Sequence, residues 1–199
     1  MRKGGQKQKG NTYERAIAKI FTEIYYPEGD GEFRRVPLSG GWDKRMAPGD
    51  LVALRYTSAE GVGMVIDSSF PFSIECKTWK GENVKHFFSG LYSKETIIFD
   101  WIRQATEDCE PSKKMPIVVF KLLRTDNILL MERGVFYQMG NLFGNFPGKK
   151  WYKLIKYEPD DMQLIFCLLN DFLNWIDWDV FKLSSNIRSI KSITSGEEE

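Results

Sequence analysis

Residues 71–81 read PFSIECKTWKG, from Pro71 to Gly81. Phe72, Ile74 and Cys76 alternate with Ser73, Glu75 and Lys77, and a period of two marks a β-strand with one apolar face. The opposite face then carries an acid and a base two residues apart. Taken alone, Glu75 and Lys77 fit an ordinary surface ion pair on a strand. The segments around them decide whether they do more.

Upstream, the spacing predicts a helix over Asn11 to Tyr26, because Tyr13, Ala16, Ile17, Ile20, Phe21 and Ile24 form one apolar stripe. Asn11 reads as its N-cap, with Glu14 three residues on as a capping box. Pro27 to Gly31 ends the helix, Glu32 to Pro37 is extended, and Ser39 to Gly49 is a loop rich in glycine and charge. Asp50 then opens a short buried strand, DLVAL. Ser58 to Gly63 is a turn, and Met64 to Ile66 is expected to form a hairpin with Phe72 to Thr78 around DSSFP.

Downstream, Gly81 to Lys94 has no regular period. Thr96 to Asp108 reads as a helix with Ile97, Ile98, Trp101, Ile102 and Ala105 inward. MPIVVFKLL, from Met115, is the most strand-like run, and NILLME, from Asn127, is its expected antiparallel partner. Asp161 to Asp177 reads as a helix that is apolar on most faces. The sum is a mixed α/β (α+β) fold, a central sheet flanked by helices. Its expected organisation is a flexible basic arm over 1–10, a core over 11–140 with an insertion near 79–96, an aromatic, helical extension over 141–183 and a polar tail over 184–199.

With 199 residues, 42% of them hydrophobic, the chain is long enough for one domain with a substantial core. The net charge of +1 does not announce a nucleic-acid binder, but the distribution is uneven. Arg2, Lys3, Lys7 and Lys9 lie in a nine-residue opening without an acid, and the chain closes on Glu197, Glu198 and Glu199. Cys76, Cys109 and Cys167 are isolated, which points to reduced thiols in a cytoplasmic setting and away from a structural zinc site. No apolar signal segment opens the chain, and the longest apolar run, Leu164 to Leu169, is too short to span a bilayer. His86 is the only histidine, so a Ser-His-Asp triad or a multi-histidine metal site would have to be built around it, and it reads as a polar loop or surface residue.

Asp50 stands at the mouth of its strand, directly after Pro48-Gly49. If that strand pairs antiparallel with the one around Glu75, the two carboxylates meet. Two carboxylates facing one cavity repel unless a cation lies between them, and oxygen ligands favour a hard ion such as Mg²⁺. The Cys76 carbonyl offers a further oxygen, whereas its thiol belongs to the opposite face. A lysine beside such an ion suits phosphodiester hydrolysis: it can orient a water or offset charge on the phosphate.

The order of four segments resembles the PD-(D/E)xK nuclease superfamily, and within it the archaeal-type Holliday-junction resolvases. RKGGQKQKGNTYERAIAKIF resembles their basic arm and first helix. RRVPLSGGWDKRMAPGDLVAL resembles their arginine, serine loop and aspartate-led strand. FSIECKT resembles their E-x-K strand, and SKKMPIVVFKLL their closing strand. The literal Pro-Asp pair is absent, since Gly49 intervenes, and the interval from Asp50 to Glu75 is longer than usual for the family.

The resemblance implies a restriction-endonuclease-like core and a catalytic set of Glu14, Asp50, Glu75 and Lys77, with Ser39 as the active-site loop serine. Glu14, Asp50, Glu75 and the Cys76 carbonyl would hold Mg²⁺, with Mn²⁺ as a substitute. Arg15 and one of Arg34 or Arg35 would contact phosphates, with Arg2, Lys3, Lys7, Lys9, Lys44 and Arg45 adding to a basic DNA-binding face. It also implies a homodimer cutting branched DNA at paired sites inside a host cell. A restriction-like or repair endonuclease on duplex DNA, and an inactive DNA-binding protein of the same fold, are the alternatives.

Overall fold

The structure, a computed structural model, describes residues 4–36, 47–58, 63–79, 97–122, 124–148, 150–152 and 163–183. Helix α1 (Gly4–Tyr25) is followed by strands β1 (Gly31–Arg35), β2 (Leu51–Tyr56), β3 (Met64–Ile66) and β4 (Phe72–Thr78). Then come α2 (Ile97–Cys109), a 3₁₀ turn (Glu110–Ser112), β5 (Met115–Lys121), β6 (Asn127–Glu132) and α3 (Arg133–Phe143). Strands β7 (Lys150–Tyr152) and β8 (Leu164–Leu168) and helices α4 (Leu169–Trp175) and α5 (Trp178–Leu183) complete the described chain.

The strands form one sheet in the order β1-β2-β4-β5-β6-β8-β7, with β3 also beside β2. Among the described residues β4 and β5 are the one parallel pair of strands, and α2 lies between them in sequence, the usual means of joining parallel neighbours. One face carries α1 and the C-terminal helices. There Ile17, Phe21 and Tyr25 pack with Phe72, Ile74, Ile117, Leu129, Ile165 and Phe172. The other face carries α2, whose Ile98, Trp101, Ile102 and Ala105 pack on Val118, Phe120, Leu130 and Phe166. Because both faces are covered, β5, β6 and β8 are apolar without alternation, as fully buried strands must be.

The structure departs from the sequence reading in five places. Helix α1 begins at Gly4, so Lys7 and Lys9 lie on its first two turns, Asn11 is interior rather than the N-cap, and no capping box forms. Its buried stripe runs through Ile17, Ala18, Phe21 and Tyr25, leaving Ala16 exposed, and Ile97 likewise opens α2 from an exposed position.

Strand β3 pairs with β2, not β4: Leu54, Arg55 and Tyr56 face Ile66, Val65 and Met64. The Asp67–Ser69 turn is held on the β2 side by hydrogen bonds from Tyr26 and Arg55 to Asp67, so the chain cannot fold straight back along β3. The segment over 161–177 is not one helix but β8 followed by α4. Leu164 and Phe166 serve one face of the sheet while Ile165 and Cys167 serve the other, and an all-apolar run hides that alternation. The C-terminal region therefore extends the sheet with strands as well as packing helices on it.

Candidate active site

Strand β2 meets β4 at a single position, Leu51 opposite Ile74. Before that point the chain does not continue the ladder. Gly49 takes a left-handed backbone, φ 77°, and forms a parallel bridge to Ile74. A Cβ at Gly49 would lie 2.6 Å from the Ile74 carbonyl oxygen and 2.8 Å from Ser73 Oγ, so both the close approach and the dihedral call for glycine here. This supplies a physical reason for the glycine between Pro48 and Asp50: it turns Asp50 into the gap that opens between the two strands.

Asp50 N–H donates to the Ile74 carbonyl at 2.8 Å, and its side chain then reaches along β4, where Oδ2 accepts the Cys76 N–H at 2.8 Å. A carboxylate thus replaces the missing strand partner. The N–H and C=O of one strand residue point to the same edge, so the Cys76 carbonyl faces the gap as well. The Cys76 thiol sits in the core on the α1 face.

Glu75 is 4% exposed, and its Oε1 accepts from Lys77 Nζ at 2.5 Å. Lys77 also donates to Gln104 Oε1 on α2 at 3.0 Å. Burial, then the Glu75 charge, then that of Glu14 push Asp50 up to about 7, against the pull of the Cys76 N–H and Lys77. Glu75 is raised too, by burial and by the charges of Asp108 and Glu14, with Lys77 opposing. Two buried carboxyls, both raised and one of them by the charge of the other, sit beside one lysine and are most readily ionised together with a cation present.

Glu14 contributes to that field, but its carboxylate is ion-paired with Arg35 Nε. Among the described residues no three His, Cys, Asp or Glu side chains form a ready metal cage. The carboxyls left for a metal are therefore Asp50 at the gap and Glu75 next to Cys76 on β4. That set fits a hard divalent ion, since Mg²⁺ is commonly held by one or two carboxylates and completes its shell with water or substrate oxygens.

Of the other residues expected at the site, Arg34 pairs with Glu32 at the sheet edge, and Arg15 is exposed on α1. Ser39, Lys44, Arg45, Arg2 and Lys3 lie outside the described residues, as does most of the expected insertion. Gln104 escaped the sequence reading. Its signal was its position: three residues after Trp101 and four before Asp108, it borders the apolar stripe that packs on β5.

An aspartate at the mouth of one strand, an E-x-K run on the next and a mixed sheet between helices together define the PD-(D/E)xK nuclease class, with its restriction-endonuclease-like fold. The model of the family described as "Phage putative PDDEXK endonuclease" matches residues 5–180, and the chain belongs to that family. Nucleases of this superfamily generally depend on a divalent metal. No curated protein and no solved structure matches the chain. No described helix is long and apolar enough to cross a membrane.

Proposed function

We propose that the chain is a Mg²⁺-dependent DNA endonuclease that acts inside a host cell and hydrolyses phosphodiesters at the β2–β4 gap. The observation that carries the reading is the Asp50 carboxylate on the Cys76 N–H, raised by the charge of the neighbouring Glu75, with Lys77 hydrogen-bonded to Glu75. Asp50, Glu75 and the Cys76 carbonyl would hold the ion, with Mn²⁺ able to replace it. When bound, it would supply Lewis-acid neutralisation of the phosphate and a more acidic water. With the ion bound, Asp50 and Glu75 would both be held as carboxylates. Lys77, steadied by Gln104, keeps an ammonium where charge develops on the phosphate. Glu14 acts through the field it adds and through Arg35, which it holds beside the first helix.

The substrate we assign is a four-way junction, cut at paired sites by a homodimer. Its support is the order of the four segments that resemble archaeal-type resolvases, together with α1, whose Lys7 and Lys9 stand on its first two turns. Cleavage of a labelled junction, beside a linear duplex of the same sequence, tests both levels. Paired nicks in the junction alone, needing Mg²⁺ and lost in Glu75→Ala, are expected. Equal cutting of the duplex would replace the resolvase assignment with a restriction-like one and leave the chemistry standing. Normal cutting by Glu75→Ala would overturn the site itself.

A further inference from the structure

We infer that the Glu14–Arg35 ion pair is a latch that ties cation binding at the β2–β4 gap to DNA: a phosphate that takes the Arg35 charge leaves Glu14 uncompensated beside Asp50 and Glu75, and the divalent cation is then held more tightly. The inference rests on the nuclease reading and adds an order of binding to that same site.

Both residues come to the gap from the α1 face of the sheet. Phe33 packs against Phe21 on that face, so Arg35, two residues further along β1, emerges on the same side. Arg35 stands opposite Leu51, the residue after Asp50, and the Val36 N–H donates to the Asp50 carbonyl at 2.8 Å. On α1, Glu14 precedes the buried positions Ile17, Ala18, Phe21 and Tyr25, so an acid stands where the stripe that faces the sheet would continue. Tyr13 and Ile17 belong to the same packed cluster as Cys76, which places this turn of α1 over the strand that carries Glu75. The Glu75 side chain lies on the other face, so Glu14 meets it through the opening between β2 and β4. Its charge raises both Asp50 and Glu75.

The pair differs from the other arginine pairs among the described residues. The side chains of Arg34, Arg55 and Arg103 are each about half exposed, whereas that of Arg35 is 21% and that of Glu14 14% exposed. Exposed pairs are screened by water and matter little. A pair closed in on both sides sets how much negative charge the gap feels. Glu14 engages Nε of Arg35, which leaves the Nη groups of the guanidinium fork for phosphate oxygens. A phosphate there claims the positive charge whether or not Nε lets go. Glu14 then adds its full charge to the pull of Asp50 and Glu75 on a divalent cation. By linkage, the cation tightens DNA by the same factor. The latch thus keeps the cation site weak until DNA is seated.

The test is calorimetry of Ca²⁺ binding, in place of Mg²⁺, to the full chain alone and with saturating duplex DNA. In wild type, DNA should tighten Ca²⁺ by about 10-fold or more. Arg35→Gln should bind Ca²⁺ about 5- to 10-fold more tightly than wild type without DNA, and should lose most of the further gain that DNA brings. Glu14→Gln should lose the same gain but start from an affinity weaker than wild type. Arg34→Gln removes an equal charge from the neighbouring residue and should leave both affinities unchanged, and Arg35→Lys should restore the wild-type pattern. Wild-type Ca²⁺ affinities in Arg35→Gln, free and DNA-bound, would overturn the latch and leave the nuclease reading intact. An equal gain in Arg34→Gln would overturn it too, by reducing the effect to overall charge. If Arg35→Gln does not fold, Glu14→Gln decides alone, and an undiminished gain from DNA in that variant overturns the latch. A wild-type chain that binds Ca²⁺ in neither state would overturn both readings.

Discussion

Asp50 and Cys76 are joined by a side-chain-to-backbone hydrogen bond of 2.8 Å at the point where β2 and β4 part. The bond satisfies a strand N–H that would otherwise face the gap unpaired, and it aims a carboxylate at the position of Glu75. It depends on the backbone at Gly49. Gly49→Ala should therefore cost about 2–4 kcal/mol, since a Cβ would press on the Ile74 carbonyl from a left-handed backbone. Cleavage should fall along with stability, because relief of the clash moves Asp50. Urea unfolding and cleavage assays on the same preparation check this, and an alanine variant as stable as wild type would refute the account of the turn.

The two carboxyls set the pH dependence of the metal-free protein. Asp50 rises from an ordinary 3.8 to about 7 on folding, chiefly through burial and secondarily through Glu75. A group with a raised folded pKa binds more protons when folded, so stability falls as pH climbs from about 4 to about 7. In Asp50→Asn the amide oxygen can still accept the Cys76 N–H, but the charge is gone. The variant should be stabilised over wild type at pH 8 by roughly 1–3 kcal/mol and not at pH 5. Mg²⁺ should bind more tightly as pH rises through 7, since it must displace a proton. Thermal melts at the two pH values, with and without Mg²⁺, decide it: a variant that tracks wild type at both would show that the repulsion is absent.

Lys77 offers a separate test. Glu75 is 4% exposed, and Lys77 is the cation that hydrogen-bonds to it. Lys77→Met should lower cleavage at saturating DNA by about 10²- to 10⁴-fold and push Glu75 further up, so that the residual activity needs a higher pH. Gln104→Leu should cost about 10-fold through loss of the 3.0 Å hydrogen bond that steadies the ammonium. Single-turnover rates across pH read out both effects. A Lys77→Met profile parallel to wild type would remove lysine from the chemistry.

The legible parts of this chain were those where one face of an element is apolar and the other is not. The strand expected over Phe72 to Thr78 is β4, the helix expected over Thr96 to Asp108 is Ile97–Cys109, and the extended segment expected over Glu32 to Pro37 is Gly31–Arg35. Leu164 to Leu168 was not legible, because a strand covered on both sides shows no period of two, and a short apolar run reads equally well as a helix. The pairing of β3 with β2 was invisible for another reason. It is decided by hydrogen bonds to Asp67 from residues 12 and 41 positions away, which no local pattern contains. The start of α1 was misplaced because Asn11 and Glu14 match a capping box in type and spacing. Glu14 instead meets Arg35, a partner 21 residues on.

Asp67 closes the comparison, because its pH dependence runs the other way from that of Asp50. It is 5% exposed, and its carboxylate accepts from Tyr26 Oη at 2.9 Å, Arg55 Nη2 at 3.0 Å, Ser69 N at 2.9 Å and Ser69 Oγ at 2.5 Å. Burial raises its pKa, but the Ser69 and Tyr26 hydrogen bonds and the Arg55 charge outweigh it, and the group ends below its usual value. A depressed folded pKa gives stability that is fully present above the unfolded value near 3.8 and is lost as pH falls below it. Asp67→Ala should cost about 1–3 kcal/mol at pH 7, chiefly because it strands the buried Tyr26 hydroxyl, while the half-exposed Arg55 can turn to water. Asp67→Asn should cost less and should flatten the acid limb of the stability profile below about pH 4. The network lies before the start of β4, away from Lys77, so below its own Tm either variant should cut DNA at the wild-type rate. Urea titrations between pH 3 and pH 7, paired with cleavage assays at low temperature, separate the two roles: a folded Asp67→Asn that has lost cleavage would mean this end of the sheet takes part in the reaction.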